Sequence, residues 1–87
     1  MLDTTVKEYR DNTYLIAYPN PVQDMLTVSN KGVPIESYRL FDSLRQLLKT
    51  SNLSNNNQIN VSNLSSGLYI LQVESNSIMS SIKFIKK

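Results

Sequence analysis

Apolar and polar residues alternate along most of this chain, and a two-residue period predicts short β-strands. The strand around which the chain is organised is predicted over the stretch 68–74, which carries no charge before Glu74. Its odd-numbered side chains (Tyr69, Leu71 and Val73) are all apolar and share one face, while the opposite face is mostly apolar. A second apolar stretch, 78–85, follows the polar link 74–77. The two stretches predict a C-terminal β-hairpin whose first strand lies in the core.

The same alternation predicts five further strands upstream. They cover residues 14–18, 25–29, 36–42, 46–50 and 58–61. Phe41, Leu44 and Leu48 stand at helical spacing, but a polar pair interrupts them and their flanks alternate, which favours two strands joined by a tight turn. About seven strands with no convincing helix predict an all-β chain folded as an antiparallel β-sandwich. We expect residues 14–87 to form this domain, and residues 1–13 to be a linker or a remnant of expression.

Two turns have distinctive chemistry. Pro19-Asn20-Pro21 removes two backbone donors and fixes two φ angles, so the strand before it must end in a rigid turn. Gly67 is one of only two glycines and stands where a turn enters the long strand. Glycine adopts positive φ without steric cost, so we expect a structural role for Gly67.

Length and charge narrow the classes of function. Eighty-seven residues make one small domain, and a net charge of +2 is too small for a nucleic-acid-binding protein. No apolar run approaches the ~20 residues that span a bilayer. The first residues lack the features of a secretory signal. Either the protein is intracellular, or the chain is a fragment whose export signal lay on a longer precursor.

The chain lacks the residues of common catalytic sites. It has no histidine and no cysteine, which excludes Ser-His-Asp and Cys-His nucleophiles, standard zinc sites and disulfides. Its few carboxylates show no spacing that favours acid–base catalysis or calcium binding. We therefore expect no enzyme activity, no metal and no cofactor. Five tyrosines raise the alternative of an adhesive or carbohydrate-binding module of a surface protein, which exposed aromatic side chains on one face would favour.

Several separated stretches, taken in order, are similar to one family. They are Tyr18-Pro19-Asn20-Pro21-Val22, 26–28, Tyr38 to Asp42, 59–73 with Leu64, Gly67 and Tyr69, and 83–86. Together they resemble the C-terminal sorting domain (type A) of proteins exported by the type IX secretion system of Bacteroidota. The likeness covers about residues 14–87, nearly all of the predicted domain.

The resemblance implies an immunoglobulin-like sandwich that acts as a non-catalytic export address. Such a domain crosses the periplasm attached to an N-terminal cargo and is recognised by the outer-membrane translocon. A sortase-like surface protease then removes it, and the cargo is released from the cell or anchored to its surface. The resemblance also implies two sets of residues in this chain. The translocon-recognition set is Lys83, Phe84, Ile85, Lys86 and Lys87, and the structural set is Tyr18, Pro19, Asn20, Pro21, Asp42, Leu64, Gly67 and Tyr69.

Three expectations remain for the structure to test. The family usually has a glycine in the turn after Asp42, where this chain has Arg45, and a type I turn without positive φ would accept arginine. Lys83 and Lys86 are three residues apart in a strand, so they should lie on opposite faces. An exposed last strand would allow a homodimer through pairing of edge strands.

Overall fold

The computed structural model describes residues 8–9, 15–30, 34–53 and 57–87, and these contain eight β-strands. Only the backbone of residues 8–9 is described. The strands are β1 (Glu8–Tyr9), β2 (Leu15–Tyr18), β3 (Met25–Asn30), β4 (Ser37–Asp42), β5 (Leu47–Asn52), β6 (Gln58–Asn60), β7 (Gly67–Ser75) and β8 (Ile78–Lys86). The seven predicted strands correspond to β2 through β8, and the remaining described residues are turns and loops.

The strands form two sheets. One has the order β1-β8-β7-β4-β5 and the other the order β2-β3-β6. Every pairing is antiparallel except that of β1 with β8. β3 pairs with β6 while β7 lies between β4 and β8, as the B–E and C–F–G strands do in an immunoglobulin-like sandwich. The predicted all-β sandwich is therefore confirmed.

β1 is the strand that alternation did not predict. Its two residues pair in parallel with Ile78 and Met79 of β8, although they lie in the stretch that was expected to be a linker. Two residues are too few to show a period. The expected boundary between residues 13 and 14 lies outside the described residues.

The core lies between the sheets and is formed by inward-facing strand residues together with Val22, Ile35 and Val61 of the connecting segments. It consists of Leu15, Val22, Leu26, Val28, Ile35, Tyr38, Leu40, Ile59, Val61, Tyr69, Leu71, Val73 and Phe84. In β7 the predicted inward face is confirmed, because Tyr69, Leu71 and Val73 are all buried. Burial alternates along the whole of β3 and along most of β4 and β7, as the two-residue period of a strand requires.

The turn after β4 differs from the prediction. The Arg45 N–H donates to the Asp42 carbonyl oxygen at 3.0 Å, as in a type I turn, but Arg45 has φ of +63°. The expectation that this turn needs no positive φ was wrong, because the residue that follows a type I turn in a bulged hairpin is left-handed. The Asp42 carboxylate stabilises the turn by accepting hydrogen bonds from the N–H groups of Leu44 and Gln46, at 2.8 and 2.9 Å.

The C-terminal hairpin is tighter than predicted. β7 and β8 pair without interruption from Gly67↔Lys86 to Ser75↔Ile78, so only Asn76 and Ser77 form the turn. Their φ angles are +51° and +64°. Two consecutive positive φ values are typical of the type I′ turn, whose twist suits a two-residue hairpin.

Candidate functional site: the last strand and the turn that holds it

The five residues expected to be recognised by a translocon lie at the end of β8 and just after it, and their side chains alternate between the two faces of the sheet. Phe84 and Lys86 are buried, with 1% and 7% of their surface exposed. Lys83, Ile85 and Lys87 are exposed. The expected separation of Lys83 and Lys86 onto opposite faces is therefore confirmed.

The buried face of β8 is tied to the start of β7. The Phe84 ring stacks on the Tyr69 ring with centroids 5.7 Å apart and an interplanar angle of 23°. The Tyr69 hydroxyl donates to the Ser65 carbonyl oxygen at 2.7 Å, so this buried tyrosine also fixes the turn before β7. The Lys86 ammonium group donates to the Lys87 carbonyl oxygen at 3.1 Å. Because its aliphatic stem is buried and its ammonium group is hydrogen-bonded, we interpret Lys86 as a residue that stabilises the fold.

A clamp formed by Asn20 and Val22 holds the end of β8 on the side away from β7. The Asn20 Oδ1 atom accepts a hydrogen bond from the Ile85 N–H at 2.8 Å. The Val22 N–H donates to the Ile85 carbonyl oxygen at 2.8 Å, and the Lys87 N–H donates to the Val22 carbonyl oxygen at 2.8 Å. The Val22 side chain is fully buried, which anchors the turn in the core. The turn after β2 is thus hydrogen-bonded to the end of the last strand, β8.

The prolines on either side of Asn20 keep it in this turn. Pro19 and Pro21 are both exposed, and both peptide bonds that precede them are cis. Proline has no N–H to donate and a fixed φ, so neither residue competes with Asn20 and Val22 for the edge of β8. The sequence predicted a rigid turn here. It did not predict what the turn binds, although a valine placed directly after the turn was a signal of burial.

Gly67 and Leu64 shape the entry into β7. Gly67 has φ of +153°, and a Cβ atom at this position would have no neighbour within 4 Å. Glycine is therefore favoured at this position by its backbone conformation, as predicted, and not by a lack of space for a side chain. Leu64 is half-buried against the core, and its N–H donates to the Val61 carbonyl oxygen at 3.0 Å.

Both ends of β8 are paired on the side away from β7, so they do not offer the exposed edge through which a homodimer was expected to form. Its start pairs with β1, and Lys86 forms a parallel bridge with Val22. The far edge of the same sheet is β5, all of whose residues are exposed. Self-association through edge strands stays a prediction, and β5 is the strand to which it now applies.

Among the described side chains there is no cluster of exposed aromatic residues of the kind that would favour a carbohydrate-binding module. Tyr38 and Tyr69 are buried, and of the aromatic side chains that the structure describes only Tyr18 is exposed. Within the described ranges, no group of three or more His, Cys, Asp or Glu residues is placed to hold a metal ion. The described residues also contain no helix that is long and apolar enough to cross a membrane.

Comparison with known families agrees with the resemblance noted in the sequence. Residues 16–87 match the family described as the secretion system C-terminal sorting domain. No curated protein matches the chain. The family match extends over both sheets from the second residue of β2, and it includes the clamp, Gly67 and the whole of β8. The chain belongs to the family of C-terminal sorting domains of the type IX secretion system.

Proposed function

We propose that this domain directs a cargo protein, attached at its N-terminal side, through the outer-membrane translocon of the type IX system. As a sorting signal of this system, the domain marks a protein for export to the cell surface or the medium. In our proposal a sortase-like surface protease then cleaves the domain from its cargo, which is released or anchored. The domain itself supplies no catalytic group to these steps.

The observation that carries this proposal is the family match, which reaches from residue 16 to the last residue, Lys87. It includes the terminal stretch 83–87, where exposed and buried side chains alternate. A translocon that binds the folded domain has access to Lys83, Ile85 and Lys87. We assign Phe84 and Lys86 to holding the strand in place, since their side chains face inward.

A secretion assay tests the proposal. The whole chain, residues 1–87, is fused to the C-terminus of a periplasmic fluorescent reporter in a type IX-competent bacterium. The complete chain is preferable to residues 14–87 because Glu8 and Tyr9 pair with β8. The control is the reporter alone with the same periplasmic signal. We expect the fusion to reach the surface or the medium and the control to remain in the periplasm.

A second variant separates recognition from folding. Replacing Lys83 and Lys87 with alanine removes two exposed charges and no core contact, so the fold should be retained. Export of this variant should fall while its resistance to protease in the periplasm stays unchanged. If the unaltered fusion is folded and protease-resistant but stays in the periplasm, the proposed sorting function is wrong for this chain.

A further inference from the structure

The outer face of the five-stranded sheet carries an apolar patch at the end where β8 terminates. We call it the outer patch, and it consists of Phe41, Leu47, Leu68, Ile70 and Ile85. Leu47, Leu68 and Ile85 are 54%, 40% and 41% exposed, and Phe41 and Ile70 are half-buried. These five side chains come from four strands. Apolar side chains scattered singly on a surface are ordinary, but a contiguous group of them is typical of an interaction site.

Strand register makes these residues contiguous. Phe41 pairs with Leu47 on one side and with Ile70 on the other, and Leu68 pairs with Ile85. Residues that are paired across antiparallel strands share a face, with Cβ atoms about 4.5–5.5 Å apart. Because Leu40, Tyr69 and Phe84 face the core, their outward neighbours Phe41, Ile70 and Ile85 must face the solvent side of the sheet.

Three cations border the patch. Lys83 pairs with Ile70 and is flanked along β8 by Ile85. Lys87 continues the outward alternation after Ile85, and Arg45 lies in the exposed turn between β4 and β5 at the same end.

Carboxylates are absent from this part of the outer face, as far as the described residues show. Glu36 and Glu74 lie at the opposite end of β4 and β7, and Asp24 precedes β3 in the other sheet. Asp42 is at this end, but one of its oxygens already accepts two backbone N–H groups. Among the described residues, the patch is therefore an apolar surface bordered by positive charges, with no carboxylate inside it to neutralise them.

We propose that the outer patch, with Lys83 at its β8 margin, is the surface through which the domain docks on a protein of the translocon. The partner surface would be apolar, with a carboxylate opposite Lys83 and further acidic groups facing Lys87 and Arg45. The proposal rests on the proposed function and deepens it, because it places the contact on three strands in addition to β8. Phe41, Leu68 and Ile70 then belong to the recognition surface together with Lys83 and Ile85.

The position of Lys83 favours a protein partner over a membrane or a second copy. An ammonium group beside Ile70 and Ile85 loses part of its water when the patch is covered, and it then needs an acceptor, which a carboxylate supplies and the interior of a bilayer does not. In a two-fold dimer through this face, both copies would bring Lys83, Lys87 and Arg45 to one interface, and such like-charge contacts are unfavourable.

Binding of the complete chain to purified type IX outer-membrane translocon complex tests the proposal. Lys83→Glu reverses the charge at the β8 margin of the patch, and its matched control is Lys49→Glu, on an exposed lysine of β5 outside the patch. Leu68→Ser removes an apolar contact, and its control is Ile16→Ser, on a side chain that is 50% exposed on the other sheet. We expect Lys83→Glu to weaken binding by about tenfold or more and to reduce its dependence on salt. Leu68→Ser should weaken binding several-fold, and both controls should bind like the unaltered chain.

Three other results would overturn the proposal. Both controls could lose as much affinity as the patch variants, which would show that the surface has no special role. The chain could bind vesicles of phosphatidylcholine and phosphatidylglycerol in a manner abolished by Lys83→Glu. It could also sediment as a dimer that Leu68→Ser converts to a monomer. Failure of the proposed function gives a different pattern, because the reporter fusion would then stay in the periplasm and the chain would not bind the translocon in any variant.

Discussion

Replacing Asn20 with alanine should loosen the end of β8 while leaving the rest of the sandwich folded. The substitution removes the Oδ1 atom that accepts the Ile85 N–H at 2.8 Å. The two hydrogen bonds between Val22 and the terminal residues do not involve this side chain. Asn20 is exposed, so water can partly replace the lost acceptor. We therefore expect the variant to lose about 0.5–1.5 kcal/mol, the net value of an ordinary hydrogen bond.

This loss is small for the domain and large for its last residues. At a typical 0.05–0.15 kcal/mol per residue, the whole chain would unfold with about 4–13 kcal/mol. The clamp, in contrast, consists of three hydrogen bonds, and strand ends open with free energies far below the global value. Removing one bond should therefore increase local opening of β8 by about two- to tenfold, since 1.4 kcal/mol corresponds to a factor of ten.

Amide hydrogen exchange measured residue by residue is the suitable assay. In Asn20→Ala, the Ile85 and Lys87 amides should exchange faster by this factor, because both belong to the clamp. Amides of the central strand, such as that of Leu71, should exchange faster only by the factor that corresponds to the loss of global stability measured by urea unfolding. Asn20→Asp keeps an acceptor oxygen and should restore protection. Asn63→Ala, at an exposed asparagine in another turn, should leave the terminal amides unchanged.

The Lys87 amide decides whether the clamp acts as a unit. It donates to Val22 and not to Asn20. If its exchange is unchanged in Asn20→Ala while the Ile85 amide exchanges faster, the Asn20 contact is independent of the Val22 contacts. The reasoning that the turn holds the strand cooperatively would then be refuted.

Three further substitutions test the origin of stability elsewhere. Arg45→Gly should stabilise the domain by about 0.5–1 kcal/mol in urea unfolding, because glycine removes the strain at φ +63°; an unchanged or lower midpoint contradicts this. Gly67→Ala should destabilise by about 1–3 kcal/mol although there is room for a methyl group, so a neutral result would show that φ +153° carries no strain. Phe84→Ala should cost about 3–5 kcal/mol in the same assay, and a loss below 1 kcal/mol would mean that its ring contributes little to the core.

Strands β2 to β8 could be predicted because each is a short run of suitable residues between turn signals, whereas the two residues of β1 are too few to show a period. In β4 the alternation of residues, and in β7 the wholly apolar face of Tyr69, Leu71 and Val73, indicated which side chains are buried. The backbone conformation of Arg45 was predicted wrongly, because the residue types of a type I turn do not reveal that the residue after the turn has a positive φ. The clamp could not be predicted from local pattern, since Asn20 and Ile85 are 65 residues apart and the donor is a backbone N–H, which every residue type except proline carries.

The structure also changes how the terminal residues should be tested. Deleting residues 83–87 would remove Phe84, a fully buried ring of the core, together with the two atoms of Ile85 and Lys87 that the Val22 backbone binds. A loss of this size approaches the expected stability of the whole domain. Export of the truncated protein would then fail because the domain unfolds, whether or not a translocon reads these residues. Only substitutions of Lys83, Ile85 and Lys87, which leave the inward face of β8 intact, can assign the recognition role, since in these five residues alternate side chains belong to the fold and to the surface.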